Sequence, residues 1–152
     1  LKIIPLEVVV RNVSTGSLCK RLGVQEGLNL DPPLVEFYLK NDELGDPLVT
    51  EDNIRAFSFA SKAQVERMKQ LSVKVNEILS QFLLERGIKL VDFKLEFGTD
   101  DDENVYVADE ISPDTCRFWD LSSSERLDKD RFRKDLGNVL EAYEEIWRRI
   151  RE

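Results

Sequence analysis

The segment at residues 90–98, "LVDFKLEFG", constrains the fold more than any other stretch, because apolar and charged residues alternate along it. The apolar residues fall on odd positions and the charged residues on even ones: Val91, Phe93, Leu95 and Phe97, and Asp92, Lys94 and Glu96. Successive side chains of a β-strand point to opposite faces of the sheet. The pattern therefore predicts an antiparallel strand with one face in the core and one face that carries three charges.

The residues after this strand predict that it is the first arm of a hairpin. "TDDDEN" at 99–104 is an acidic turn, and "VYVADEI" at 105–111 predicts a second strand with Asp109 and Glu110 near its end. Carboxylates on two neighbouring strands, with a lysine between them, resemble a magnesium–nucleotide site, in which two acids hold Mg²⁺ and phosphates and water complete its coordination. The alternative left open is an acidic hairpin that only faces solvent.

Four other segments describe the remainder of the sheet and its connections. "LEVVVRN" (6–12) predicts a buried strand, and "STGSLCKRLG" (14–23) predicts a turn and a short helix that Gly23 ends. "LDPPLVEFYLKND" (30–42) predicts a proline-marked loop that leads into another strand, and "SPDTCRFWD" (112–120) predicts an irregular segment.

Capping signals and apolar periodicity predict the helices. Ser61 and Gln64 form a capping box, and Gly87 is the expected stop of a long helix. Its apolar positions are expected in the core: Val65, Met68, Leu71, Val75, Ile78, Leu79 and Phe82. Thr50 starts a shorter helix, and Asp128 caps a final one with a second apolar stripe: Phe132, Leu136, Val139, Leu140, Tyr143, Ile146, Trp147 and Ile150. Strands followed by helix, hairpin and helix predict an α+β fold, an antiparallel sheet flanked by helices.

Composition limits the chemistry. Thirty acidic against 22 basic residues give a net charge of −8, which disfavours binding to nucleic acid or to anionic membranes. No apolar run reaches the ~20 residues of a membrane span. The chain has no histidine, which excludes histidine-based catalysis and His–zinc sites within it. Cys19 and Cys116 make neither a disulfide framework nor a CxxC metal site, so a reducing cytoplasm is the expected compartment. Without histidine or a cysteine site, any metal is expected to be held by oxygen ligands, as Mg²⁺ is.

Five segments occur in a fixed order along the chain: "VVVRNVSTGSL", "KNDELGDPLV", "LVDFKLEFG", "ADEISPDTCRFWD" and "LDKDRFRKDLG". Together, and over essentially the whole chain, they resemble the SAICAR synthetase (phosphoribosylaminoimidazole-succinocarboxamide synthase) family. The resemblance implies a purine-biosynthetic ligase that joins L-aspartate to the carboxylate of carboxyaminoimidazole ribonucleotide (CAIR), with ATP converted to ADP and phosphate. It implies ATP and Mg²⁺ as cofactors and small molecules as partners. It also implies a build similar to ATP-grasp and kinase-like enzymes, and it leaves a homo-oligomer open.

By the same resemblance, Glu96 and Asp109 would hold Mg²⁺ and the nucleotide. Lys94 would contact the CAIR carboxylate or the transferring phosphoryl group, and Asp46 would face the imidazole end or a second metal. The ribonucleotide, with its 5′-phosphate, would be bound by Arg11, Ser17, Lys94 and Arg117. Without the resemblance, these positions are ordinary surface charges, a helix cap and a turn residue.

The family also carries an N-terminal glycine-rich segment with lysines that covers the ATP phosphates, and no GxGxxG occurs in this chain. We therefore expect residues 1–152 to be the larger C-terminal catalytic domain of such an enzyme, with the nucleotide lid outside it and little activity from this chain alone. The alternatives are a non-catalytic ribonucleotide-binding fragment, a different ATP-dependent carboxylate–amine ligase, and an acidic scaffold. Arg11 and Arg117, beside polar turns, favour a phosphate-bearing ligand over a scaffold.

Overall fold

The computed structural model describes residues 1–109, 111–128, 130 and 137–151. Within them, six strands form one antiparallel sheet: β1 Lys2–Val13, β2 Asn29–Leu39, β3 Leu48–Val49, β4 Ile88–Thr99, β5 Val105–Val107 and β6 Cys116–Asp120. The helices are α1 Ser17–Leu22, α2 Glu51–Ala56, α3 Lys62–Leu84 and α4 Val139–Arg151, with a short 3₁₀ helix at Asp42–Leu44. The predicted α+β fold with an antiparallel sheet is confirmed.

The sheet runs in the order β3-β2-β1-β4-β5, and β6 pairs with the first half of β4. Strands β1 and β4 therefore lie side by side at its centre. Their register places Arg11 opposite Asp92 and Glu7 opposite Glu96. The charged face predicted for "LVDFKLEFG" thus continues across the sheet into β1.

The opposite face of the sheet carries the core. Leu6, Val8 and Val10 of β1 are fully buried there, and helix α3 covers them with Val65 and Met68. Phe93, Leu95 and Phe97 join the same cluster from β4. Because strands alternate their faces, this apolar packing fixes which side chains of β1 and β4 point the other way.

The local signals for helix ends are confirmed. Thr50 and Ser61 each accept a hydrogen bond from the backbone three residues on in a complete capping box. Gly23 ends α1 in the left-handed conformation that glycine adopts without strain, and Gly87, at φ +70°, follows the end of α3. One member of the predicted core stripe is wrong, because Ile78 is 60% exposed.

Three strand predictions need correction. The prolines at 32–33, predicted to lie in a loop, lie inside strand β2. No residue of β2 between Asn29 and Leu34 pairs with β1, so the N–H groups that proline lacks remove no hydrogen bond from the sheet. The segment predicted as irregular, 112–120, contains strand β6, which pairs with β4 on one side and with residues 125–127 on the other. The second hairpin strand ends at Val107 rather than 111.

Val91 also departs from the predicted alternation. It packs with Val13 and Trp119 in a small separate cluster, while Leu90 and Phe93 both enter the main core. The pairing of β4 with β6 shifts register between Leu90 and Asp92, and such an irregularity moves a side chain to the other face.

The final helix is described from Val139, so Phe132 and Leu136 lie outside the described residues. Ala142 and Ile146 are buried, whereas Leu140 and Trp147 are exposed, so part of the predicted stripe faces solvent. Asp128 accepts a hydrogen bond from the backbone N–H of Asp130 at 2.8 Å, as a capping residue does. Among the helices of the described ranges, none combines the length and apolar character needed to cross a membrane.

Candidate functional site

A cavity of about 220 Å³ lies on the charged face of the sheet. Strands β1, β2, β4 and β6 contribute to it, together with the start of α1 and the turn at residue 46. Its lining includes five residues that the sequence assigns to a site: Arg11, Ser17, Asp46, Lys94 and Arg117. Residues far apart in sequence are therefore brought together around one concave space.

Arg11 is the most enclosed cation of this cavity, with 3% of its surface exposed. Its Nε donates to Glu36 Oε1 at 2.6 Å, and its Nη2 donates to Ser17 Oγ at 3.0 Å and to the hydroxyl of Tyr38 at 3.2 Å. Burial lowers the pKa of Arg11, but the bonds to Glu36 and Tyr38 outweigh it and the net direction is upward. Arg11 is therefore a fixed positive charge at the end of β1.

Asp92 connects Arg11 to Arg117. Its carboxylate accepts from Nη1 of Arg117 at 3.0 and 3.2 Å and from Nη1 of Arg11 at 3.4 Å. Burial raises the pKa of Asp92, and the two guanidinium groups oppose that rise. We call these three residues the arginine bridge.

Arg117 is held on a second side by Asp130, which accepts from its Nε at 2.7 Å. Asp130 is 2% exposed. Behind it, Asp128 accepts from the backbone of Phe118 and Asp130, and burial raises the pKa of Asp128 to about 6.

Gly16 provides the space for the guanidinium of Arg117. It precedes α1 with φ +60° and ψ −136°, a conformation that side chains other than hydrogen strain. A Cβ on Gly16 would lie 2.7 Å from Nη2 of Arg117, closer than carbon and nitrogen approach without a bond. Glycine is thus required here both by the backbone and by the packing.

Lys94 and Asp46 complete the cavity. The side chain of Lys94 is 42% exposed, and its Nζ lies 3.7 Å from Oε1 of Glu7. Asp46 has a left-handed backbone, and its carboxylate accepts from the backbone N–H of Asn41 at 2.8 Å. Lys94 is therefore a cation with room to meet a ligand, while Asp46 is tied to its own turn through one oxygen.

The two predicted metal ligands lie apart from this lining. Glu96 forms an ion pair with Lys40 at 2.7 Å, and Asp109 is exposed just after β5. The backbone N–H of Ala108 donates to the carbonyl of Glu96, so Glu96 and Asp109 stand on neighbouring segments of the hairpin, although Asp109 lies past the end of β5 rather than on the predicted strand. Within the described ranges, no group of three or more acids or cysteines is arranged to hold a metal, and Glu110 lies outside those ranges.

Four carboxylate or hydroxyl groups of the site have no assigned role in the sequence prediction: Asp92, Asp130, Glu36 and Tyr38. For Asp92 and Glu36, the alternation of apolar and charged residues is the sequence signal that could have found them. It puts both on the charged face of the sheet, with Asp92 opposite Arg11 and Glu36 near it. Asp130 carries no such signal, because its contact with Arg117 comes from tertiary packing.

A larger cavity, about 880 Å³, lies at the other end of β1 between Leu1, the start of α3 and the hairpin turn. None of the residues that the sequence assigns to a site lines it. The smaller cavity is the better candidate despite its size, because buried charges converge on it.

Comparison with known proteins decides the family. Residues 1–150 match the model of SAICAR synthetase. The chain is 57% identical over 150 residues to the phosphoribosylaminoimidazole-succinocarboxamide synthase of Caldanaerobacter subterraneus subsp. tengcongensis. That match covers 99% of this chain and 63% of the relative. The chain belongs to the SAICAR synthetase family.

Solved members of the SAICAR synthetase family share the fold closely. The crystal structure of the synthase from Ehrlichia chaffeensis has a TM-score of 0.96 at 49% identity and covers 99% of this chain and 65% of that one. A SAICAR synthetase in complex with ADP has a TM-score of 0.95 at 52% identity, with 99% and 64% covered. The chain thus spans a little under two thirds of the length of these relatives.

Proposed function

We propose that this chain supplies the ribonucleotide-binding and phosphoryl-positioning part of an ATP-dependent ligase that joins L-aspartate to the carboxylate of CAIR and releases SAICAR, ADP and phosphate. The observation that carries the proposal is the arginine bridge, which fixes two guanidinium groups beside Ser17 at a cavity of about 220 Å³. Membership in the SAICAR synthetase family supports the choice of reaction.

The cavity suits a phosphate-bearing substrate. Guanidinium groups bind phosphate through planar, charge-assisted hydrogen bonds. Arg117 and Ser17 would contact the 5′-phosphate directly, while Arg11, already held by Glu36 and Tyr38, would add a fixed positive charge behind them. Because these cations are oriented before the ligand arrives, binding requires little reorganisation.

The chemistry requires a carboxylate to become an electrophile. ATP converts it to an acyl phosphate, which the amine of aspartate then attacks with loss of phosphate. Phosphoryl transfer depends mainly on positioning and on neutralising charge, and neither role needs histidine. Lys94, which is part of the cavity lining, 42% exposed and next to Glu7, would contact the carboxylate of CAIR or the transferring phosphoryl group. Asp46 would face the imidazole end or a second metal.

The residues at the hairpin fit a magnesium ion. Glu96 and Asp109 supply carboxylate oxygens, the ligand type that Mg²⁺ prefers, and their segments are hydrogen-bonded neighbours. Glu96 would have to exchange Lys40 for the ion. When bound, Mg²⁺ would neutralise charge on the phosphates of the nucleotide. We place the protein in the cytoplasm, where purine precursors and ATP are available.

The test is turnover of CAIR, ATP and L-aspartate by the full-length gene product, followed as SAICAR absorbance and as ADP release. We expect one ADP for each SAICAR. Turnover with another amine but not with aspartate would replace this proposal by a different carboxylate–amine ligase. The 152-residue chain alone, which has no glycine-rich phosphate loop, is expected to bind the ribonucleotide and to turn over well below ~1 s⁻¹.

A further inference from the structure

Arg117 is held by two separate carboxylates, and this arrangement leaves one of its nitrogens for a ligand. Asp130 accepts a hydrogen bond from Nε at 2.7 Å, and Asp92 accepts two from Nη1 at 3.0 and 3.2 Å. Among the residues that the structure describes, no hydrogen-bond acceptor serves Nη2. That nitrogen lies against Gly16, which has no side chain to cover it.

A single carboxylate would hold the same guanidinium differently. Arginine and one carboxylate prefer two parallel hydrogen bonds, which use two nitrogens of the fork. With Asp130 alone, Nε and Nη2 would both donate to its carboxylate, and Nη2 could not donate to a ligand. Dividing the task between Asp92 and Asp130 prevents this pairing.

We propose that Asp92 and Asp130 are positioning residues, which together aim Nη2 of Arg117 at the phosphate of the ribonucleotide. This inference rests on the proposed function, because it requires a phosphate at this end of the cavity. Both carboxylates are almost fully enclosed, at 4% and 2% exposure, so neither is presented to a ligand as a surface charge.

The sign of the effect distinguishes this role from simple electrostatics. Each carboxylate adds negative charge near a dianionic ligand. If charge alone mattered, Asp92→Asn and Asp130→Asn would strengthen phosphate binding. If the carboxylates position Arg117, both substitutions weaken it, because the guanidinium can turn to pair with the carboxylate that remains.

The experiment measures binding by calorimetry to the full-length gene product, with two probes that differ only in the phosphate: 5-aminoimidazole-4-carboxamide ribonucleotide and its riboside. We expect Asp92→Asn and Asp130→Asn each to weaken the ribonucleotide about tenfold, the effect of one lost charge-assisted bond, and to leave the riboside unchanged. The control is Asp120→Asn, which loses a similar partner of Arg149 at 2.6 Å away from this cavity and should change neither affinity.

Coupling to Arg117 is the second readout. In an Arg117→Ala background, Asp130→Asn should have almost no further effect, since contacts that act through the same group are not additive. Arg117→Lys covers the case in which an Asn variant does not fold. It keeps the charge but lacks the fork, and we expect the same loss of about tenfold for the ribonucleotide only.

Stronger ribonucleotide binding in the Asn variants, equal losses for both probes, or an undiminished effect of Asp130→Asn without Arg117 would overturn the positioning role. Parent-like ribonucleotide binding by Arg117→Lys would do the same. A parent protein that binds the riboside as tightly as the ribonucleotide would instead remove the phosphate site on which the proposed function depends.

Discussion

The arginine bridge and the acidic hairpin both present charges on the same strand, β4, yet they are built in opposite ways. At the arginine bridge, Arg11 and Asp92 are buried, Arg117 is half-buried, and the three groups pair with one another before any ligand binds. At the hairpin, Glu96 is partly exposed and Asp109 is exposed, with Lys40 as the partner of Glu96. The arginine bridge is organised by the fold, whereas the hairpin would be organised by the proposed magnesium ion and nucleotide. The two ends should therefore respond differently to the same kind of substitution.

The largest contrast should be in stability. Arg11→Met removes the buried cation that Asp92 and Glu36 share. Asp92 keeps Arg117 and Glu36 keeps Arg21 as partners, so we expect a loss of about 3 kcal/mol, the lower end of the range for breaking a buried ion pair. Urea unfolding should show this as a lower midpoint with an unchanged slope.

The matched control is Lys40→Met, which removes the cation from the half-exposed pair with Glu96 at the hairpin. An exposed ion pair contributes about 1 kcal/mol or less. Equal midpoint shifts for the two variants would show that the arginine bridge is no more organised than the hairpin.

The next contrast is in ligand binding. Arg117→Ala should weaken ribonucleotide binding by roughly 10- to 150-fold, the range of a charge-assisted contact of ~1.5–3 kcal/mol, and leave ADP binding nearly unchanged. Arg149→Ala, at a cation outside the cavity and paired with Asp120, serves as the control. Calorimetry with both ligands on the full-length gene product is the measurement. Equal losses for ribonucleotide and ADP would mean that Arg117 supports the fold and not the phosphate.

The third contrast is the response to acid. Burial raises the pKa of Asp128, behind Arg117, to about 6 from its ordinary 3.8. Between these values the folded protein binds more protons than the unfolded chain at this group, so its contribution to stability increases as the pH falls from about 6 to 4. At the hairpin, a hydrogen bond from Asn104 lowers the pKa of Asp100, whose contribution is instead lost as the pH falls below 4.

Asp128→Asn tests this sign. The free energy of unfolding of the parent, relative to the variant, should rise by about 2 kcal/mol between pH 6.5 and pH 4.5. For Asp100→Asn, the corresponding difference should stay constant over that interval. Urea midpoints at the two pH values are sufficient, and an unchanged difference for Asp128→Asn would show that its carboxyl group titrates normally in the folded protein.

The limits of sequence reasoning follow the same division. Signals that act over three or four residues, such as the capping boxes at Thr50 and Ser61, predict the helix starts correctly because their partners are local. Alternation placed Asp92, Lys94 and Glu96 on one face, since that pattern depends only on strand geometry. It failed at Val91, where pairing with β6 shifts the register.

Contacts between distant segments could not be predicted in this way. Strand β6 shows no apolar–polar alternation in the sequence, and it forms by pairing with β4 and with residues 125–127. Asp130 meets Arg117 only after that strand is in place. The family resemblance predicts which residues would contact ligands. The carboxylates that hold Arg117, Asp92 and Asp130, are identified only in the folded structure.

The smallest effect should be at the hairpin, where the ligands of the proposed magnesium ion are exposed. Glu96→Gln and Asp109→Asn keep their shape and lose charge, so each should preserve the fold and raise the Mg²⁺ concentration for half-maximal activity about tenfold, equivalent to ~1.4 kcal/mol. The double variant should be little worse than either one, because both losses disable the same ion. Lys94→Met should differ, with nucleotide–magnesium binding retained and ribonucleotide use impaired.

A magnesium titration of activity and of ADP binding on the full-length gene product distinguishes these cases. Asp101→Asn, at an exposed acid in the hairpin turn, is the control for a general loss of negative charge. If Asp101→Asn raises the Mg²⁺ concentration for half-maximal activity as much as Glu96→Gln does, the acids attract the cation through their combined negative charge and do not coordinate it. If Glu96→Gln and Asp109→Asn both titrate like the parent, the hairpin face of β4 is a solvated surface, and only the arginine bridge remains as a site.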